Sequence, residues 1–200
     1  MTSTTAPTPV FRPIADPGPL GLAAFALTTF VLSVFNAGLV DASAEPVVFG
    51  IALFYGGAVQ VVAGVIEFFK NNLFGGVAFC SYGAFWMAFW YLATHTSIPT
   101  EHKGTGVGIF LLAWTIFTAY MLIAVSKVNW GLTITFAVLF IAFVGLTVGD
   151  LCELEIATRL GGWFGLAAAF SAWYCSFAGV INFTAGKTVL SVGPKGVSSH

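Results

Sequence analysis

Charge is what this chain has least of. Asp, Glu, Lys and Arg make up 8% of its 200 residues, where a soluble domain carries roughly 25%, so it cannot cover a water-exposed surface. Histidine is nearly as sparse, at 3 residues, and none lies inside an apolar run, which removes the commonest metal ligand and proton carrier from the interior. Cys80, Cys152 and Cys175 are scattered without metal or redox spacing and read as small apolar fillers. There is no carboxylate pair at the middle of a run, no nucleotide-binding glycine loop and no cluster of metal ligands. No metal, no cofactor and no nucleic-acid partner is therefore expected, and neither an energised pump nor a membrane enzyme fits. The net charge of -1 is silent about partners.

What fills the chain instead is apolar. Hydrophobic residues reach 58% and the mean hydropathy is +0.94. Six uncharged stretches account for most of this: Pro19–Val40, Val47–Ile66, Leu73–Thr94, Thr105–Ser126, Gly131–Gly149 and Gly161–Thr184. Each has about 20 residues, enough for an α-helix to cross a ~30 Å hydrocarbon layer. The spacing predicts an all-α, polytopic membrane protein with six transmembrane helices over 15–192 and membrane lipid as its surroundings. Residues 1–14 and 193–200, rich in Pro, Ser, Thr and Gly, are expected as flexible cytoplasmic ends. The first run is too long, and too closely followed by the next, for a cleaved signal peptide.

Lys and Arg alternate by loop. Arg12, Lys70, Lys127, Lys187 and Lys195 fall at the termini and in the second and fourth loops. The other loops hold only Lys103 and Arg159, beside Asp41, Glu45, Glu101, Glu153 and Glu155. Cytoplasmic loops are the ones enriched in Lys and Arg, so both termini are expected in the cytoplasm. Trp90, Tyr91, Trp130 and Trp163 near the ends of runs suit interfacial anchors. Gly104/Gly108, Gly145/Gly149 and Gly161/Gly165 allow close helix approach, either within a bundle or between protomers. A weak internal echo relates Ala63-Gly64-Val65-Ile66-Glu67-Phe68 to Ala178-Gly179-Val180-Ile181-Asn182-Phe183.

Function should sit where polar atoms enter the membrane at a cost. Thr28, Thr29, Ser33 and Asn36 interrupt the first run. Gln60 and Glu67 share a face of the second, with Gly56, Gly57 and Gly64 nearby. Ser81 and Tyr82 lie in the third, and Asn182 closes the sixth. The Thr and Ser hydroxyls can bond back to their own helix, the amides can tie helices together, and Glu67 can pair with Lys70. Together they favour a wet or substrate-lined path.

The most specific local feature is Asp16-Pro17-Gly18-Pro19-Leu20-Gly21-Leu22. Pro19 suits a helix start, where free N–H donors and the helix dipole favour an anion, and Asp16 is placed to cap it. This stretch resembles the signature Asn-Pro-Ala-Pro-Leu-Gly-Leu of the acetate uptake transporters, or succinate–acetate permeases. Further matches follow in order: Thr28-Thr29, Asn36-Ala37-Gly38, Phe54-Tyr55-Gly56-Gly57 with Gln60, Ala63-Gly64 and Glu67, Ser81-Tyr82-Gly83 with Phe85-Trp86, and Gly186-Lys187-Thr188-Val189-Leu190. The similarity covers about residues 15–193. Asp16 replaces the usual Asn, and Asp150 stands where the family often has Asn.

The resemblance implies a six-helix protomer in a homohexamer of the plasma membrane, passing acetate and sometimes succinate. It also implies an apolar constriction, which by context is Phe25, Tyr82 and Leu139, with Phe136 as an alternative to the last. The expected path is Leu22, Thr28, Thr29, Asn36, Gln60 and the Tyr82 hydroxyl. Asp16, Pro17, Pro19 and Gly21 form the motif at the helix start, and Glu67 is the candidate for proton coupling. Two other readings stay open: a channel for urea, an amide or ammonia, and a non-transporting sensor or scaffold.

Overall fold

The computed structural model describes residues 14–193 and puts every expected apolar run in a helix long and apolar enough to cross a membrane. These are α1 Gly18–Asn36, α2 Val47–Phe69, α3 Leu73–His95, α4 Thr100–Val125, α5 Trp130–Leu151 and α6 Glu155–Ala185. Among the described residues there is no strand. The chain is an all-α, multi-pass membrane protein. The expectation of flexible ends falls on 1–13 and 194–200, with Arg12 and Lys195, which lie outside the described residues.

Local chemistry sets the helix limits. The amide oxygens of Asn72 and Asn129 cap α3 and α5, accepting from Gly75 N at 3.1 Å and Leu132 N at 2.8 Å. Gly186, at φ 64°, ends α6 in the left-handed conformation that a Cβ disfavours. In the α1–α2 loop, hydrogen bonding from Ser43, first through its side chain and then through its N–H, which donates to Asp41 Oδ1 at 2.8 Å, holds the Asp41 carboxyl below its ordinary range. The helices differ from the expected runs at several ends. The α1 helix stops at Asn36, short of Val40, and the chain turns through Gly38 at φ 71°. Both α4 and α6 begin earlier than expected, because polar residues continue the hydrogen-bonded helix beyond the apolar slab. One feature has no hydropathy mark at all: Ala52–Val59 within α2 is a π-helix.

The six helices close a ring in which α2 packs on α1 and α3, α5 on α4 and α6, and α6 on α1. Between α3 and α4 the backbones stay farther apart and aromatic rings fill the gap. Phe85 stacks on Phe110 at 5.5 Å between centroids and meets Trp114 edge-on at 5.3 Å. The glycine pairs serve packing inside this protomer. A Cβ on Gly145 would lie 2.9 Å from Gly161 Cα, and one on Gly104 would lie 2.8 Å from the Asp150 carbonyl oxygen. Cys175 is buried and Cys80 half-buried, as fillers should be, but Cys152 is exposed at the α5–α6 turn.

Candidate functional site

Two cavities lie along the ring, about 250 Å³ and about 40 Å³ in volume. Phe25, Tyr82 and Leu139 line both of them. They come from α1, α3 and α5, alternate members of the ring, and are at most 6% exposed. Phe25 and Tyr82 stand 5.9 Å apart between ring centroids, and Phe136 backs Tyr82 from α5 at the same distance. Phe136 faces only the larger cavity, so the shared wall takes Leu139.

The Tyr82 hydroxyl is not on this wall as a free donor. It lies 2.9 Å from Thr118 Oγ1, and Thr118 gives its own proton to the Trp114 carbonyl at 2.8 Å. Tyr82 therefore donates to Thr118. What separates the cavities is ring and hydrocarbon.

The larger cavity, called here the vestibule, opens near the start of α1. Leu22, Gln60 and Glu67 line it, together with Asp16 and Pro19 of the motif. Glu67 is 2% exposed, and its Oε2 accepts from Asn72 Nδ2 at 2.9 Å. The expected pairing of Glu67 with Lys70 is not what forms. Lys70 Nζ instead reaches Asp16 Oδ1 at 2.8 Å, because a buried carboxylate meets the amide that also caps α3. Asp16 Oδ1 accepts from Gly18 N as well, at 3.2 Å, so the chain's own carboxylate takes the helix-start donor expected to face a ligand. Gln60 is 1% exposed, and its Oε1 has no partner among the described residues. Pro17 and Gly21 do not line the vestibule. Gly21 instead makes room for the Phe79 ring, which a Cβ there would meet at 2.8 Å.

Asn182 also lines the vestibule, but its amide is largely engaged by the chain's C-terminal end. Its Nδ2 donates to the Leu190 carbonyl at 2.8 Å, and its Oδ1 accepts from Val189 N and Leu190 N at 2.6 and 2.9 Å. With Gly131 N bonded to the Val192 carbonyl at 2.9 Å, this straps residues 189–193 across the bundle end. The internal echo thus brings Glu67 and Asn182, its corresponding members, to one cavity from α2 and α6.

The smaller cavity gathers Thr29, Ser33 and Asn36 of α1 opposite Trp86 of α3. Thr29 Oγ1 and Trp86 Nε1 are buried without partners among the described residues. Thr28, expected on the path, lines neither cavity. It is fully buried, donates to the Ala24 carbonyl at 2.9 Å, and packs where Gly56 leaves space. It sits one residue from Thr29, and 100° of helix rotation separates the two faces. Sequence reasoning missed Asn72, Thr118 and the Asp16–Lys70 pair. The Asn72–Gly75 capping pattern was the one available signal, since contacts across 36 and 54 residues leave no local trace.

Known proteins resemble this chain along most of its length. The Saccharomyces cerevisiae "Ammonia transport outward protein 2" is 40% identical over 88% of this chain and 64% of its own length. "Acetate permease A" of Emericella nidulans is 39% identical over 84% of this chain and 62% of its own. The chain thus spans somewhat under two thirds of these fungal relatives. The Escherichia coli "Succinate-acetate/proton symporter SatP" is 32% identical over 90% of this chain and 96% of its own length. A solved structure, that of the bacterial acetate channel SatP, superposes with a TM-score of 0.84 at 32% identity, covering 90% of this chain and 100% of that one. A family profile matches residues 1–194, and the chain belongs to the GPR1/FUN34/yaaH family.

Proposed function

We propose that this protein carries acetate and related small monocarboxylates across the plasma membrane, together with a proton, with residues 14 and 193 on the cytoplasmic side and six protomers in the assembly. The observation that carries the reading is the pair of cavities divided only by Phe25, Tyr82 and Leu139. Relatives named as an acetate permease and a succinate-acetate/proton symporter support it. No catalytic step is assigned to any residue.

The physical difficulty is the wall. A carboxylic acid has a pKa of about 4 and is ionised at neutral pH, and a bare carboxylate cannot enter a layer of rings and methyl groups without a large desolvation cost. Protonated acid crosses far more easily. Gln60 and Glu67 line the vestibule on the cytoplasmic side of the wall, so Glu67 is the residue we assign to proton exchange with the ligand. On the outer side of the wall, Thr29, Asn36 and Trp86 offer polar partners for the arriving carboxyl group. Dewetting of the wall keeps bulk water and ions from following.

Purified protein in proteoliposomes tests this. Labelled acetate uptake is expected to exceed that of protein-free vesicles, to rise as external pH falls from 7.5 to 6, and to collapse with an uncoupler. Urea or ammonia flux without acetate flux would establish the neutral-solute reading instead, and no flux of any solute would leave a scaffold. Glu67→Gln keeps the hydrogen bond to Asn72 but cannot release a proton. It is expected to flatten the pH dependence that the protein adds, leaving acetate exchange at constant pH within about threefold of wild type, a general-base-type loss confined to the coupled mode. An unchanged pH profile in Glu67→Gln would remove Glu67 from the proton route.

A further inference from the structure

We propose that the Asp16–Lys70 pair sets the charge selectivity of the vestibule, turning away dicarboxylates in favour of monocarboxylates. The inference rests on the carboxylate-path reading above and names its substrate class. The vestibule wall carries two carboxylates, Asp16 and Glu67, and among the described residues no Lys or Arg. Lys70 stands at the rim with its side chain 27% exposed, and its Nζ is held 2.8 Å from Asp16 Oδ1. The same oxygen takes the Gly18 N–H at 3.2 Å. Asp16 is therefore a tethered anion, occupying the ammonium and the amide that an arriving carboxylate would use.

Glu67 lies close behind it. A methyl group on Gly18 would sit 3.3 Å from both Asp16 Oδ1 and Glu67 Oε1, so the two carboxyl groups lie close together beside Gly18 at the mouth. Independently of this cluster, Gln60 Oε1 is buried on the same wall without a partner. An unpaired acceptor suits a ligand that donates one hydrogen bond, as the O–H of a protonated monocarboxylic acid does. A monocarboxylate meets this cavity with one polar end and an apolar remainder. A dicarboxylate at neutral pH brings a second charge that must settle beside Asp16 and Glu67 with Lys70 already neutralised.

The measurement is the ratio of succinate to acetate uptake by the reconstituted protein at pH 7. Asp16→Asn is expected to raise that ratio about tenfold, the effect of removing one unit charge several ångströms away in a partly screened mouth. Adding Lys70→Gln to Asp16→Asn is expected to return the ratio to the wild-type value or below it. Should Asp16→Asn fail to insert, Lys70→Gln alone decides the matter, because it leaves Asp16 uncompensated and should lower the ratio about threefold. Wild-type ratios in both single variants, Asp16→Asn and Lys70→Gln, with acetate flux still measurable, overturn the charge selectivity alone. A wild-type protein without acetate flux overturns the reading beneath it as well.

Discussion

Tyr82→Ala is expected to raise the flux of carboxylates longer than acetate by roughly tenfold or more and to blunt discrimination by size, since an apolar constriction acts through its width and its dryness. The ring of Tyr82 lies between two cavities that share only three lining side chains of the apolar wall. Its removal joins them. The change also has a structural cost, because the ring packs against Phe25, Phe117, Phe136 and Trp114 at centroid distances of 5.3 to 6.2 Å. Truncating a buried aromatic costs about 3–5 kcal/mol, so folded protein must be confirmed by its elution and its thermal midpoint. Tyr82→Phe separates ring from hydroxyl. It keeps the wall and leaves Thr118 bonded to Trp114, costs about 1 kcal/mol, and should retain wild-type selectivity. Equal leakiness in the two variants would show that the hydroxyl, and not the ring, forms the barrier.

The fold was legible in the sequence because a membrane allows few alternatives. Lipid leaves no partner for an unpaired backbone group, so a long uncharged run can only be a helix. Helix limits were less legible, for hydropathy marks the lipid and not the hydrogen-bonded helix. Glu155 and Arg159 lie in the helical first turns of α6, joined by an exposed i,i+4 ion pair, yet both fall outside the apolar run. The π-helix at Ala52–Val59 was invisible, since its residues are as apolar as those of an ordinary turn.

The site was partly legible. Phe25, Tyr82 and Leu139 were picked out by resemblance, and the structure brings them together from three helices. Nothing in their own spacing, across 57 residues each time, requires the meeting. Hydroxyls were the least readable class. Thr28 and Thr29 are neighbours of identical chemistry, one bonded to its own helix and the other open to a cavity. Tyr82 was expected to offer its proton to the path, and Thr118 takes it. A sequence names donors without saying which acceptor lies closest, and in a bundle that is decided by the neighbouring helix. Lys70 shows the same limit: sequence proximity favoured Glu67, whereas the partner is Asp16, 54 residues away.

Gly161→Val should be the most damaging single substitution for the bundle itself. The α5 and α6 backbones meet at Gly145 and Gly161. A Cβ on Gly161 would stand 2.9 Å from Leu146 N and 3.0 Å from the Ala142 carbonyl oxygen. Both atoms belong to the α5 backbone and cannot rotate aside, so the helices must separate. Valine adds two methyl groups beyond that Cβ. Overpacking typically costs 1–3 kcal/mol, and a backbone-limited site with a branched side chain belongs at roughly 3 kcal/mol or above. The strain does not stay local. Leu139 is carried by α5, and Gly162 and Gly165 seat α6 against Ala37 and Ser33 of the α1 end, so a wedge at Gly161 loosens the shared wall as well as the bundle. The expected outcome is aggregated or low-melting protein in detergent, with Gly161→Ala intermediate. Gly50→Ala is the control: it lies in α2 with nothing within 4 Å of its Cβ position and should hold or raise the thermal midpoint, through a helix propensity gain of about 1 kcal/mol. If Gly161→Val melted with Gly50→Ala, close approach of α5 and α6 would not be what holds these helices together.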